Sequence, residues 1–166
     1  MLNGTQLHTG FIKHPVNEGV FLTKTGLKGD GQADLKNHGG KDKALLMYPI
    51  EHYQYWEARY LRNFPIPSFG ENITIEGITE KDVCIGDTFK LGEAVIQVSQ
   101  PRNPCYKIAE VNGIKDITAA VTETGFSGYY FRVMKEGSIS AEDPLILLDK
   151  DPNQITVSDV QQVLFH

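Results

Sequence analysis

Gly86-Asp-Thr-Phe-Lys-Leu-Gly-Glu-Ala-Val-Ile-Gln-Val-Ser99 contains two runs rich in β-branched and aromatic residues, Thr88–Leu91 and Ala94–Ser99. Gly86-Asp87 and Gly92-Glu93 supply the turns before each run, because glycine reaches backbone angles closed to other residues. Within the second run Ala94, Ile96 and Val98 alternate with Val95, Gln97 and Ser99, the period of two expected of a sheet with one buried face. The same composition recurs outward, at Val20–Thr23, Ala44–Met47 and Asn72–Ile75 on one side and at Tyr129–Val133 and Leu145–Leu148 on the other. Each predicts a strand. Many short strands in one small domain predict a mainly β fold of the α+β kind, a barrel or a sandwich, with helices at its periphery.

Three helices are expected. From about Pro49 to Leu61, Ile50, Tyr53, Trp56 and Tyr60 recur at helical spacing, and proline is tolerated in a first turn. Periodicity alone explains that aromatic stripe as core packing rather than a binding box. A second helix is expected over Ile114–Thr124, ending at Gly125, a residue suited to a left-handed cap. In Ile155–His166, Thr156 stands three positions before Asp159, with apolar Val160, Val163 and Leu164 following, as in an N-capped amphipathic helix. Asp149-Lys-Asp-Pro-Asn153 marks the expected boundary between a body at 1–150 and a helical segment at 151–166.

Composition excludes several classes. At 166 residues, 40% of them hydrophobic, the chain has the length of one ordinary domain. A chain of this size withdraws roughly 68–70% of its unfolded surface from water, so it needs neither disulfides nor a structural metal. The net charge is −5 and like charges form no long block, which argues against a nucleic-acid polymer as partner. No apolar run is long enough to span a bilayer, and Met1-Leu-Asn-Gly-Thr-Gln-Leu-His-Thr-Gly10 does not read as a secretion signal. A soluble, cytoplasmic protein with no membrane partner is expected. Cys84 and Cys105 are the only cysteines and form no CxxC pair, so a disulfide scaffold, zinc ribbon or thioredoxin motif is excluded.

Four segments carry residues suited to chemistry. Gly29-Asp-Gly-Gln-Ala-Asp-Leu-Lys-Asn-His-Gly-Gly40 places Asp30, Asp34 and His38 in a glycine-rich loop, where backbone N–H groups can approach an anion. It matches neither Walker A nor GxGxxG. Acids in such turns commonly bond their own backbone, whereas His38, between Asn37 and Gly39, is harder to explain as core filling. In Phe69-Gly-Glu-Asn-Ile-Thr74, Asn72 either bonds the turn backbone or recognises a heterocycle through paired donor and acceptor. In Ser99-Gln-Pro-Arg-Asn-Pro-Cys105, two prolines stiffen a loop that ends in a thiol ahead of an expected helix. Arg102 nearby would favour the thiolate, making Cys105 a nucleophile or a soft metal ligand. Cys84 lies on an apolar run and reads as inert packing. With no histidine cluster or second thiol near Cys105, a metal there makes most sense if a cofactor supplies the other soft ligands. Arg132, in Tyr129-Tyr-Phe-Arg-Val133, either points to solvent from an alternating strand or acts as an anion clamp.

In this order, Thr9-Gly-Phe-Ile-Lys-His-Pro-Val16, Gly29-Asp-Gly-Gln-Ala-Asp34, His38-Gly-Gly40, Phe69-Gly-Glu-Asn72, Cys84-Ile-Gly-Asp87, Gln100-Pro-Arg-Asn-Pro-Cys105 and Tyr130-Phe-Arg-Val133 resemble the MOSC domain family, and more closely its YiiM-like branch. The family is named for the C-terminal domain of molybdenum cofactor sulfurase. The pieces span nearly the whole chain. The resemblance implies a MOSC-type β-barrel that binds the molybdenum cofactor, with the pyranopterin dithiolene giving two sulfurs and Cys105 a third. It further implies that Arg102 faces the cofactor's phosphate or the metal's oxo groups and that His38, Gly39 and Asn72 line the pocket, with Arg132 as a further cofactor-binding candidate. Pyridoxal phosphate binding is another property it brings. The implied activity is reductive detoxification of N-hydroxylated bases such as hydroxylaminopurine, with His38 the candidate proton donor and a separate reductase the electron donor. YiiM-like chains continue beyond the barrel into a small helical domain, so residues 151–166 are expected to hold the first helix of such a domain, packing on the barrel or pairing with another copy in a homodimer. Two other classes compete with the enzyme: a sulfur or cofactor carrier using a Cys105 persulfide, and a barrel that binds an anionic metabolite.

Overall fold

The alternating run at 94–99 forms the centre of the sheet, as strand β7 (Ala94–Pro101), in a computed structural model that describes residues 6–7, 19–29 and 39–166. It pairs antiparallel with β6 (Thr88–Leu91), from Thr88 opposite Gln97 to Leu91 opposite Ala94. Its other edge pairs with β8 (Tyr129–Lys135), from Val95 opposite Lys135 to Pro101 opposite Tyr129, with irregularities at Val95/Ile96 and Val98/Gln100. Among the described residues the larger sheet has seven strands, in the order β1 (Gln6–Leu7), β5 (Ile73–Ile75), β4 (Leu45–Pro49), β8, β7, β6 and β10 (Leu145–Asp149). Among the described strands only β4 and β5 run parallel. A second sheet sets β2 (Val20–Thr23) between β3 (Gly26–Leu27) and β9 (Gly137–Ile139).

Alternation decides which side chains meet inside. Ile96 and Val98 of β7, Phe131 and Val133 of β8 and Phe89 of β6 share one core with Leu22, Leu27 and Ile139 of the small sheet. The large sheet therefore curls around this core as a half-barrel, the mainly β, α+β architecture expected from the strand pattern.

Strand β4 is buried along its whole length, because helices cover the face turned away from the barrel core. Leu45 and Met47 enter the barrel core. Tyr48 instead joins a second apolar cluster with Tyr53 and Trp56 of α1 (Glu51–Tyr60), Ile108 of α2 (Lys107–Asn112) and Ile117 and Val121 of α3 (Ile117–Thr124). The aromatic stripe of α1 is thus core: Trp56 Nε1 donates to the Tyr48 hydroxyl at 2.8 Å, and the Tyr48 ring stacks on Phe69 at 4.6 Å.

The helix expected at Ile114–Thr124 begins later, at Ile117, and a separate helix, α2, precedes it. Gly113, at φ 64°, closes α2, which at under two turns is too short to display a period. Gly125 caps α3 as expected, its amide bonding the Val121 carbonyl. Helix α4 (Val157–Phe165) opens with a reciprocal box in which Thr156 Oγ1 accepts the Asp159 amide at 3.0 Å and the Asp159 carboxylate accepts the Thr156 amide at 2.9 Å. Its entry is stitched to the 83–87 segment: Ile85 N donates to Ile155 O, Val157 N to Val83 O, and Cys84 bridges Thr156. Helix α4 then lies on β7. Among the described residues no helix is long and apolar enough to cross a membrane.

Candidate functional site

Strand β7 ends at Pro101, and the chain that continues from it carries both Arg102 and Cys105. The Arg102 amide donates to Gly128 O at 3.0 Å, one further rung on the β7–β8 ladder. Its side chain is then drawn inside: Arg102 is 2% exposed, and Nη1 is buried with no hydrogen-bond partner. A buried cation without a counter-ion is costly by several kcal/mol, so the surroundings need explaining. Glu71, fully buried, feels the Arg102 charge. Its oxygens are already engaged, by the Tyr53 and Thr74 hydroxyls and the Phe69 amide. Burial pushes the Glu71 carboxyl above its ordinary value, and the Tyr53 bond, its local backbone bonds and the Arg102 charge pull it back.

Cys105 is half-buried, and its carbonyl accepts from Ile108 N at 3.1 Å and Thr118 Oγ1 at 3.3 Å. Those bonds anchor the backbone two residues ahead of α2. Tyr130, 8% exposed, lies within the field of both groups: burial pushes its hydroxyl up, the Arg102 charge draws it down and Cys105 pushes it up again. A cation, a thiol and a phenol thus share one locality. Cys84 differs from Cys105 as the sequence suggested, being 3% exposed with its thiol pushed up by burial and by Asp87.

A cavity of about 450 Å³ lies nearby, lined by Pro101 and Asn103 on either side of Arg102 but not by Arg102 or Cys105 themselves. Ser99, Gln100, Asn103 and Lys43 give it a polar wall, and Leu164 and Phe165 of α4 an apolar one. Lys43 comes from a short 3-10 turn, Lys41–Lys43, laid on the outer face of β7 and β8. Ser99 Oγ reaches Asp42 O at 2.5 Å and Tyr130 O at 3.0 Å, fastening that turn. Arg132 fastens it too, through Nε to Asp42 Oδ1 at 2.7 Å and Nη1 to Gln97 Oε1 at 2.9 Å.

The residues named from the sequence therefore fall in different places. Arg102 and Cys105 lie three residues apart on the same chain segment, and both act on Tyr130. Gly39 is half-buried and leads through Gly40 into the 3-10 turn; His38, like Asp30 and Asp34, lies outside the described residues. Asn72 Oδ1 accepts the Leu46 amide at 2.8 Å while the Asn72 amide donates to Leu46 O at 2.9 Å, so this residue splices β5 to β4. Arg132 braces the turn through a part-exposed ion pair. Tyr130 was missed as a site residue, although strand alternation puts it on the same face as Arg132. Lys43 and Asn103 were missed as well, and only the fold brings them together.

The donor set suits a large anionic ligand that brings its own soft atoms. Among the described residues no three His, Cys, Asp or Glu side chains cluster to hold a metal. A single half-buried thiol beside an unpartnered guanidinium fits a group that takes one sulfur from the protein and offers a negative charge in return.

Comparison with known proteins bears on this arrangement. The family described as the MOSC domain matches residues 34–146. Protein YiiM of Escherichia coli strain K12 is 43% identical over 161 residues, covering 95% of this chain and 71% of that protein. A protein of Gibberella moniliformis named "Reductase" is 33% identical over 168 residues, covering 97% of this chain but only 29% of its own. The crystal structure of YiiM from Geobacillus stearothermophilus superposes with a TM-score of 0.88 at 36% identity, covering 100% of this chain and 85% of that one.

Proposed function

The chain belongs to the MOSC domain family, and on that premise we propose that it binds the molybdenum cofactor at Cys105 and Arg102 and reduces N-hydroxylated compounds, hydroxylaminopurine being the substrate to try first. The observation that carries the reading is the buried Arg102 guanidinium, its Nη1 without a partner, three residues along the chain from a half-buried thiol, with both groups acting on Tyr130. The relative named "Reductase" supports a reductive activity. When bound, the cofactor supplies a two-electron redox centre, so that two electrons and two protons convert R–NHOH to R–NH₂ and water.

The chain's own residues do the rest. The Cys105 thiolate gives the metal one soft ligand, and its anchored carbonyl keeps the thiol at a fixed depth. Arg102 neutralises the cofactor's negative charge, which removes the penalty of its own burial. Gln100 and Asn103 offer paired donors and acceptors along the cavity wall. Tyr130, kept neutral by burial, holds a proton beside both groups. His38 remains the proposed proton donor, and a separate reductase the proposed source of electrons. Pyridoxal phosphate is left aside, because it does not supply the two electrons that reduction of R–NHOH consumes.

The test is molybdenum and pterin analysis of protein made in cells with an intact cofactor pathway, comparing the unmutated chain with Cys105→Ser. Both components are expected to co-purify with the unmutated chain and to be lost from the variant. Retention by neither form would remove the chemical basis of the reductase, and persulfide transfer from Cys105 would then be the reading to pursue.

A further inference from the structure

A buried pair lies on the opposite side of Gly128 from Arg102. His52 and Glu80 are 4% and 3% exposed, and His52 Nε2 lies 2.8 Å from Glu80 Oε2. The other Glu80 oxygen, Oε1, accepts the Gly128 amide at 2.8 Å, and Gly128 O accepts the Arg102 amide at 3.0 Å. Gly128 is thus held through both of its backbone polar groups, by Glu80 on one side and Arg102 on the other. No other residue fits there: φ is +80°, and a Cβ would stand 2.6 Å from Met47 O.

The whole 125–128 segment is gripped in the same manner. Gln161 Nε2 donates to Gly125 O at 2.8 Å and Ser127 Oγ at 2.9 Å, the Tyr48 hydroxyl donates to Phe126 O at 3.0 Å, and the His52 ring stacks on Phe126 at 4.1 Å. A connecting segment normally runs over the surface with its backbone turned to water. This one is pinned by side chains from α1, β4, α4 and the loop at 80, and it is bonded to the backbone of Arg102.

We propose that Glu80, braced by His52, is a positioning residue for the Arg102 anion site. By fixing Gly128 it fixes the backbone from which Arg102 departs, so the guanidinium is presented to its ligand in one orientation. The proposal rests on the preceding reading only for the identity of that ligand. A cavity of about 290 Å³ beside the pair is lined by both of its members, so water can enter when Glu80 is shortened.

The test compares Glu80→Ala with Glu80→Gln, which keeps an oxygen for the Gly128 amide. In the full cofactor-free chain, amide hydrogen exchange at Gly128 and the Arg102 Nε–Hε resonance, identified by its disappearance in Arg102→Lys, report on the backbone and the guanidinium. Glu80→Ala is expected to speed Gly128 exchange at least tenfold, to shift or split the Arg102 resonance and to lower retained molybdenum at least fivefold. Glu80→Gln is expected to stay within twofold of the unmutated chain. An unchanged Arg102 resonance in Glu80→Ala overturns the proposal, and so does a Gln variant as damaged as the Ala variant. Should Glu80→Ala not fold, His52→Phe takes its place: it keeps a ring on Phe126 but removes the donor to Glu80, and an unmoved Arg102 resonance is again the overturning result. If the unmutated chain retains no molybdenum, the cofactor reading fails while the resonance still decides this one.

Discussion

Arg132 stands on the outer face of β8 with its guanidinium divided between Asp42 and Gln97, and its side chain is 38% exposed. Arg102, just past the end of the neighbouring strand, is 2% exposed and leaves Nη1 without any partner. The first arginine is accounted for by its neighbours, since it ties the 3-10 turn to the sheet and would do so with or without a ligand. The second is not, because its Nη1 is buried without a hydrogen-bond partner, and a buried charge left unsatisfied opposes folding. A cation that the fold itself does not need is the stronger indication of a site, and the pairing status of a side chain separates the two where residue type does not.

The largest effect that would test this contrast is a divergence of stability from binding. Arg102→Met removes an unpaired buried charge, so the cofactor-free variant is expected to gain about 1 kcal/mol or more in urea unfolding while its retained molybdenum falls at least tenfold. A variant that instead lost stability would show Arg102 to be as integrated as Arg132, and the contrast would collapse.

A middle-sized effect concerns Glu71, which senses the Arg102 charge. Its carboxyl is pushed up in the folded chain, chiefly by burial, so its contribution is complete below the ordinary carboxylate range and is lost as pH rises toward the raised value. Relative to Glu71→Gln, the unmutated chain is therefore expected to lose stability with rising pH in that interval, by at most roughly 1.4 kcal/mol per pH unit. Placing both forms in the Arg102→Met background removes a charge that pulls the carboxyl down, so the loss should extend to higher pH. A gain in stability with rising pH would contradict the assigned direction.

The smallest effect is expected at Arg132. Arg132→Ala breaks a part-exposed pair worth about 0.5 kcal/mol, with retained molybdenum within twofold of the unmutated chain. A tenfold loss of molybdenum there would make the two arginines partners in one anion site.

The parts of this molecule written in local patterns were legible in the sequence. Alternation at 94–99 gave β7 and its buried face, helical spacing gave α1 as a core helix, and Thr156 with Asp159 gave the start of α4. The two-residue strand β3 and the three-residue β9 were not legible, and the bounds of α2, the helix expected after Cys105, were not either, because none is long enough to complete a recognisable period. At the site, Arg102 and Cys105 stood out because a charge between Pro101 and Pro104 and a thiol directly after them share one stiffened loop. Asn72 was ambiguous, since its bond to Leu46 spans 26 positions, and the His52–Glu80 pair was invisible, since its members lie 28 apart.

The stitching of α4 to the 83–87 segment has a consequence for how the molecule responds to a protease. A cut in the exposed turn at Pro152–Gln154 would leave the following helix attached through Ile85–Ile155, Val83–Val157 and the Glu80 carbonyl bonded to Ser158, without any covalent link. The nicked molecule is expected to migrate as two fragments once denatured and as one particle on a native gel. Slow release of the smaller fragment would then measure how firmly Gln161, and with it the 125–128 segment, is held in place.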